Sequence, residues 1–162
     1  MSETSETLAF FTQGWQNYQN QLSIALARLS PEQLALRAAP DLRSIDELAR
    51  HLIAVRAGWF HYNLEEGDEV FGAFHEWDEP GSPPRSASEL VNGLEKTWQV
   101  MQEVLGRYTL SDLQSTVKDE WEGQIYTYTR GWVIWHVIEH DIHHGGEIAY
   151  SLGMYGLTAP DI

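Results

Sequence analysis

Apolar residues recur at alternating spacings of three and four in separate segments of this chain, and that periodicity restricts it to helices packed on one another. The first segment runs through Leu8, Phe11, Trp15, Tyr18, Leu22, Ala25 and Leu29, with Gln13, Gln16, Asn17, Gln19 and Asn20 suited to an exposed face. Ser30-Pro31-Glu32 ends it and opens a short turn, because proline fits a first helical position. The second segment follows the capping box Ser44-Ile-Asp-Glu47 and buries Ile45, Leu48, Leu52, Val55 and Trp59. A third, after the box Ser86-Ala-Ser-Glu89, carries Leu90, Leu94, Thr97, Met101, Val104 and Tyr108. Thr129 is a suitable N-cap for the fourth, which should stop near Gly153 and Gly156.

The connections are less regular. Residues 66–84 read as a long loop rich in breakers, whose Phe71, Phe74 and Trp77 must pack over an end of the fold. Residues 109–128 read as a second connection. Within it Gln124-Ile-Tyr-Thr-Tyr-Thr129 alternates like a strand, but a lone strand has no partner and is not expected to form. The chain therefore reads as all-α, an up-and-down or crossed-over bundle of four helices of about 18–25 residues. The connection between the second and third helices is long enough to cross the bundle.

Composition sets outer limits on function. The 162 residues suit a single domain over 1–162, and 43% apolar residues with seven tryptophans argue for a packed core. Ten basic against 24 acidic residues leave a net charge of −14, which disfavours nucleic acid and anionic membranes as partners. There is no cysteine, so a thiolate metal site or a cysteine nucleophile is excluded. Met-Ser-Glu-Thr-Ser-Glu-Thr at the start lacks the pattern of a signal peptide, and no apolar run reaches the roughly 18 residues of a membrane span. A cytoplasmic protein is expected.

The chemistry concentrates in the fourth helix. His136, His140, His143 and His144 account for four of the seven histidines. His140 and His144 are one helical turn apart, a spacing that lets two neutral imidazoles approach one ion. Val133, His136, Val137, His140, His144 and Glu147 share that face. On the second helix His51 lies beside Leu48 and Val55, so three imidazoles should converge from two elements. Three nitrogen ligands leave positions for water or substrate, the open arrangement of a catalytic site. Imidazole suits zinc, nickel, copper or ferrous iron, and zinc or nickel leads, with iron or manganese as the alternatives. His136 lies too far along the axis for the same ion and reads as a supporting or core residue, and His143 as a surface imidazole. Glu47, one turn before His51, is the expected acceptor for that ring.

These residues resemble a known family. Ser44-Ile-Asp-Glu-Leu-Ala-Arg-His51 and Trp135-His136-Val-Ile-Glu-His140-Asp-Ile-His143-His144-Gly-Gly-Glu147 are similar to the motifs of the DinB-like family of damage-inducible proteins, over most of the chain. The resemblance implies a four-helix bundle of up-down-down-up topology, a divalent metal on His51, His140 and His144, and a homodimer. Family members include thiol S-transferases that use bacillithiol and maleylpyruvate isomerases that use mycothiol. Two positions depart from the family's His-x3-His-Arg-Gly-Gln signature. Its arginine is Gly145 here, which should remove a cation near the site, and its glutamine is Glu147. A carboxylate at 147 can act as a fourth ligand, a general base and catalytic group, or an orienting partner of an imidazole.

The leading function is a metal-dependent enzyme acting on a small molecule, a low-molecular-weight thiol that is transferred to an electrophile. A metal-dependent hydrolase with Glu147 as base is the alternative within enzymes. A metal-stabilised bundle that binds a ligand or partner without turnover is the alternative outside them. Surplus large aromatics and the long first seam point to a homodimer.

Overall fold

The computed structural model describes residues 3–161, with side chains from residue 8 onward. Helix α1 (Glu3–Leu26) is followed by the short α2 (Pro31–Leu34) and then by α3 (Ile45–Ala57), which runs on into a π-helix at Gly58–Asn63. The single turn α4 (Glu69–Gly72) continues as a 3-10 helix, Ala73–Asp78. Next come α5 (Ala87–Arg107), the short α6 (Leu110–Gln114), strands β1 (Thr116–Trp121) and β2 (Gln124–Thr129), and the closing helix α7 (Arg130–Met154). The structure is mostly helical, and no helix among the described residues is long and apolar enough to cross a membrane.

The helix starts follow from the caps. Ser44 Oγ accepts from the Glu47 amide while Glu47 Oε2 accepts from the Ser44 amide at 2.7 Å, so two otherwise orphaned donors are satisfied. Ser86 and Glu89 repeat the arrangement, as do Ser30 and Gln33, and Thr129 caps α7 through the Trp132 amide. Each such cap stabilises its helix by about 1 kcal/mol. The α5 seam is buried from Leu90 to Tyr108, and Ile45, Leu48 and Leu52 of α3 are equally enclosed.

The α1 seam holds only over its second part. Trp15, Leu22 and Ala25 are buried, but Phe11 is 65% exposed. A cleft of about 400 Å³ lies between Leu8, Thr12 and Gln16 of α1 and Gln102, Leu105 and Tyr108, and Phe11 packs only edge-on against its exposed neighbour Phe10, ring centres 5.8 Å apart. Gln19, expected on the exposed face, is instead buried and hydrogen-bonded inside.

The connections hold more structure than their sequence suggested. In the 66–84 segment Asp68 caps α4 by accepting from the Phe71 amide, and Phe71 enters the core with Phe74 and Trp77 packed beside it. The strand-like Gln124–Thr129 does have a partner. It pairs antiparallel with Thr116–Trp121, Thr116 opposite Thr129 and Trp121 opposite Gln124. Thr-Val-Lys-Asp-Glu-Trp carries too many charges to look like a strand, and the turn is Glu122-Gly123, both with positive φ (51° and 76°). That backbone matches the twist of a two-residue hairpin.

The core falls into two apolar clusters. One gathers Leu22, Leu26, Leu52, Leu90, Leu94, Ile148 and Leu152, and the other Trp15, Phe60, Phe71, Trp98, Met101, Val133 and Val137. In each long helix one buried polar residue separates the two stretches: Gln19, Arg56, Thr97 and Asp141. Arg56 is fully buried, with Nη2 2.6 Å from Asp141 Oδ2 and Nη1 2.7 Å from Gln19 Oε1. Trp15 Nε1 donates to the same Asp141 oxygen at 2.6 Å. A buried arginine is tolerable only when paired and hydrogen-bonded in this way.

Candidate metal centre

The caps and seams that start α3 and α7 also aim their histidines. Leu48 and Leu52 turn one side of α3 into the core, which leaves His51 at the edge of that side, half-buried and facing α7. Val133 and Val137 do the same for His140 and His144. One nitrogen from each of the three rings lies within 4.8 Å of the others, close enough for one ion to be shared. The ring centres stand 5.6 Å apart for His51 and His140, 4.6 Å for His51 and His144, and 5.4 Å for His140 and His144.

Two carboxylates set the orientation of two of these rings. Asp78 Oδ2 is 2.7 Å from His51 Nδ1, and Glu147 Oε2 is 2.6 Å from His144 Nδ1. A carboxylate can only accept, so each Nδ1 carries the proton and each Nε2 keeps its lone pair free. His140 Nδ1 is buried without a hydrogen-bond partner. Burial, then the neighbouring His136, His144 and His51, push the His140 pKa down to about 4. Burial also lowers that of His144, outweighing the pull of Glu147. Two rings with fixed tautomers and one with an orphaned nitrogen, His140 and His144 being held toward the neutral form by burial, are what a divalent ion needs from its ligands. The residues present fit the ion.

Asp78 was not legible as a site residue, lying 27 positions beyond His51 in a segment read as loop. Burial would raise its pKa, but the hydrogen bond with His51 and the guanidinium of Arg43, 3.0 Å from Oδ1, together hold it below the usual carboxylate range. Glu47, expected in this role, caps Ser44 and pairs with Arg37 at 2.7 Å. Glu147 has its carboxylate on the Nδ1 side of His144, with Oε1 3.8 Å from the exposed His143. His143, His144 and Glu147 form a second set of donor atoms within 4.8 Å. His136 stays outside the triad, stacked on Trp132 at 4.9 Å and edge-on to His140 at 4.6 Å.

The buried Arg56–Asp141 pair was also missed, although its signal is present. Each follows a seam residue at helical spacing, Leu52 and Val137, so each is an inward charge, and the two are of opposite sign. Asp141 directly follows His140 in α7, so this pair fixes the backbone that carries the site. Gly145 does not open a gap near the rings. A Cβ there would meet the Tyr18 hydroxyl at 1.9 Å, because that position faces α1, where Tyr18 donates to the Asp141 carbonyl at 3.1 Å.

Two clefts flank the triad. One of about 580 Å³ is bordered by Leu42, Arg43, His144, Glu147 and Tyr150. The other, about 550 Å³, opens beside His51.

Several solved structures share the fold, three of them as follows. A DinB-like protein from Bacillus cereus is 21% identical, with a TM-score of 0.71 over 94% of this chain and 95% of that one. A protein from Exiguobacterium sibiricum, described as a candidate DinB-family member, is 20% identical, with a TM-score of 0.65 over 96% and 94%. A conserved protein from Enterococcus faecalis is 17% identical, with a TM-score of 0.63 over 91% and 92%. No curated protein is similar enough to count as a relative. The model of the DinB family matches residues 1–162. On that match, the chain belongs to the DinB family.

Proposed function

We propose that this protein is a divalent-metal-dependent enzyme that transfers a low-molecular-weight thiol to an electrophile, with His51, His140 and His144 as the ligands. The observation that carries the reading is the convergence of three imidazole nitrogens, from two helices, within 4.8 Å. Zinc or nickel is the ion we infer, since imidazole nitrogen suits both. A bound ion supplies Lewis acidity, which lowers the pKa of a thiol or water that reaches it. Asp78 and Glu147 hold the His51 and His144 rings in the ligating tautomer. Trp132, stacked on His136, and Trp59, edge-on to both, line the neighbouring face with aromatic rings. With no cysteine in the chain, the thiol comes from the substrate. Glu147 acts here through His144; a direct part as base belongs to the competing hydrolytic reading.

Elemental analysis should find about one ion per chain. It should fall in His51→Ala, His140→Ala and His144→Ala, with loss of thiol transfer to a halonitrobenzene dye. A folded triple variant that keeps its metal sinks the triad. Ester hydrolysis without thiol turnover favours the hydrolase, and metal without either activity favours a binding bundle.

We also propose that the four long helices run up-down-down-up as one unit. The order in which each crosses the two apolar clusters supports this, since α3 and α5 pass between them in the sense opposite to α1 and α7. A homodimer is proposed from the exposed Phe10, Phe11 and Ile24 on α1. Light scattering that returns a monomer mass at micromolar concentrations would refute it.

A further inference from the structure

The cleft beside His51 has a lining that selects for charge. The π-helix contributes Trp59 and Tyr62, the 3-10 helix His75 and Asp78, and β1 Asp119 and Trp121. Strand residues alternate between faces. Val117 packs against the core, so Asp119 and Trp121, two and four positions on, point to the same inner side, while Lys118 and Glu120 take the other. Among the described residues no lysine or arginine lines the cleft, whereas Asp78, Glu79 and Asp119 do. Arg43 answers one of these charges through Asp78. Tyr62 is 59% and Trp121 65% exposed, so both rings are open to whatever enters. Aromatic faces beside carboxylates attract a positive charge, and a protein of net charge −14 draws cations toward such a cleft and repels anions.

We propose that this cleft takes a small organic cation, an ammonium or quaternary ammonium compound with an apolar arm, and places it beside His51. That this molecule is a substrate rests on the metal-enzyme reading; that it binds does not. The cleft accordingly disfavours the anionic thiols that a basic pocket would accept.

The test is calorimetric titration of the full chain, both chelator-treated and metal-loaded, with benzyltrimethylammonium, benzyl alcohol and benzoate. The cation should bind and benzoate should not, and the affinity should weaken as salt rises. Asp119→Asn and Trp121→Ala, with unchanged circular dichroism and metal content, should each raise the Kd for the cation about tenfold. If the hairpin variants unfold, Tyr62→Ala on the opposite wall should show the same loss. Equal affinity for the cation and benzyl alcohol, or an unchanged Kd in the folded variants, overturns the proposal. Cation binding by a protein that holds no metal would leave this inference standing and sink the metal-enzyme reading. Metal without cation binding would do the reverse.

Discussion

At the scale of single residues, the site depends on two carboxylates that would not themselves be ligands. Asp78 and Glu147 each fix one imidazole through Nδ1, and such partners typically contribute about 10- to 100-fold in metal affinity. Asp78→Asn and Glu147→Gln keep shape but lose the charge that steadies the ring. Each is expected to lower metal affinity by about that factor, with little change in stability, measured by competition against a chromophoric chelator. If Glu147 were instead a general base, Glu147→Gln would keep its affinity and lose about 10² to 10⁴ in turnover at equal occupancy. Unchanged affinity in both variants would remove the orienting role.

At the scale of elements, what was legible followed from local rules. Ser44, Ser86 and Thr129 announced three helix starts because a cap needs only its own first turn. The α5 seam and the His140–His144 pair were readable because a single helix fixes their spacing. The β1–β2 pairing was not, since it depends on a partner whose charges hide its extended form. Asp78 reaches His51 by way of the fold of residues 69–78, which no periodicity in that stretch announces. The hairpin turn also holds a misfit. Glu122 sits at φ 51°, a region that suits asparagine better than glutamate. Glu122→Asn is therefore expected to stabilise the protein by about 0.5 kcal/mol in denaturant unfolding, without change in metal content. A lower midpoint would count against the turn.

At the scale of the whole molecule, Gln19, Arg56, Thr97 and Asp141 form one polar layer drawn from all four long helices. Each helix has one position at which the layer can close, so the layer fixes how far the helices slide along one another and where His51 meets α7. Arg56→Met leaves the Asp141 charge buried without its partner and should cost about 3–5 kcal/mol. Arg56→Met with Asp141→Leu should cost much less than the two single changes summed, because no lone charge remains. Strict additivity in urea unfolding would show that the pair is not coupled.

The contact between Gly145 and Tyr18 bears on which residue pairs the two positions can hold together. Arginine is the residue the family's signature carries at 145, yet here a tyrosine hydroxyl stands 1.9 Å from where its Cβ would be. A side chain at 145 beside Tyr18 requires the tyrosine ring to leave its place between the helices, with loss of its hydrogen bond to the Asp141 carbonyl, or α1 and α7 to part at that level. The two positions are thus coupled, and a smaller residue at 18 removes the conflict. Chains of this fold with arginine at the position of Gly145 should not carry tyrosine at that of Tyr18.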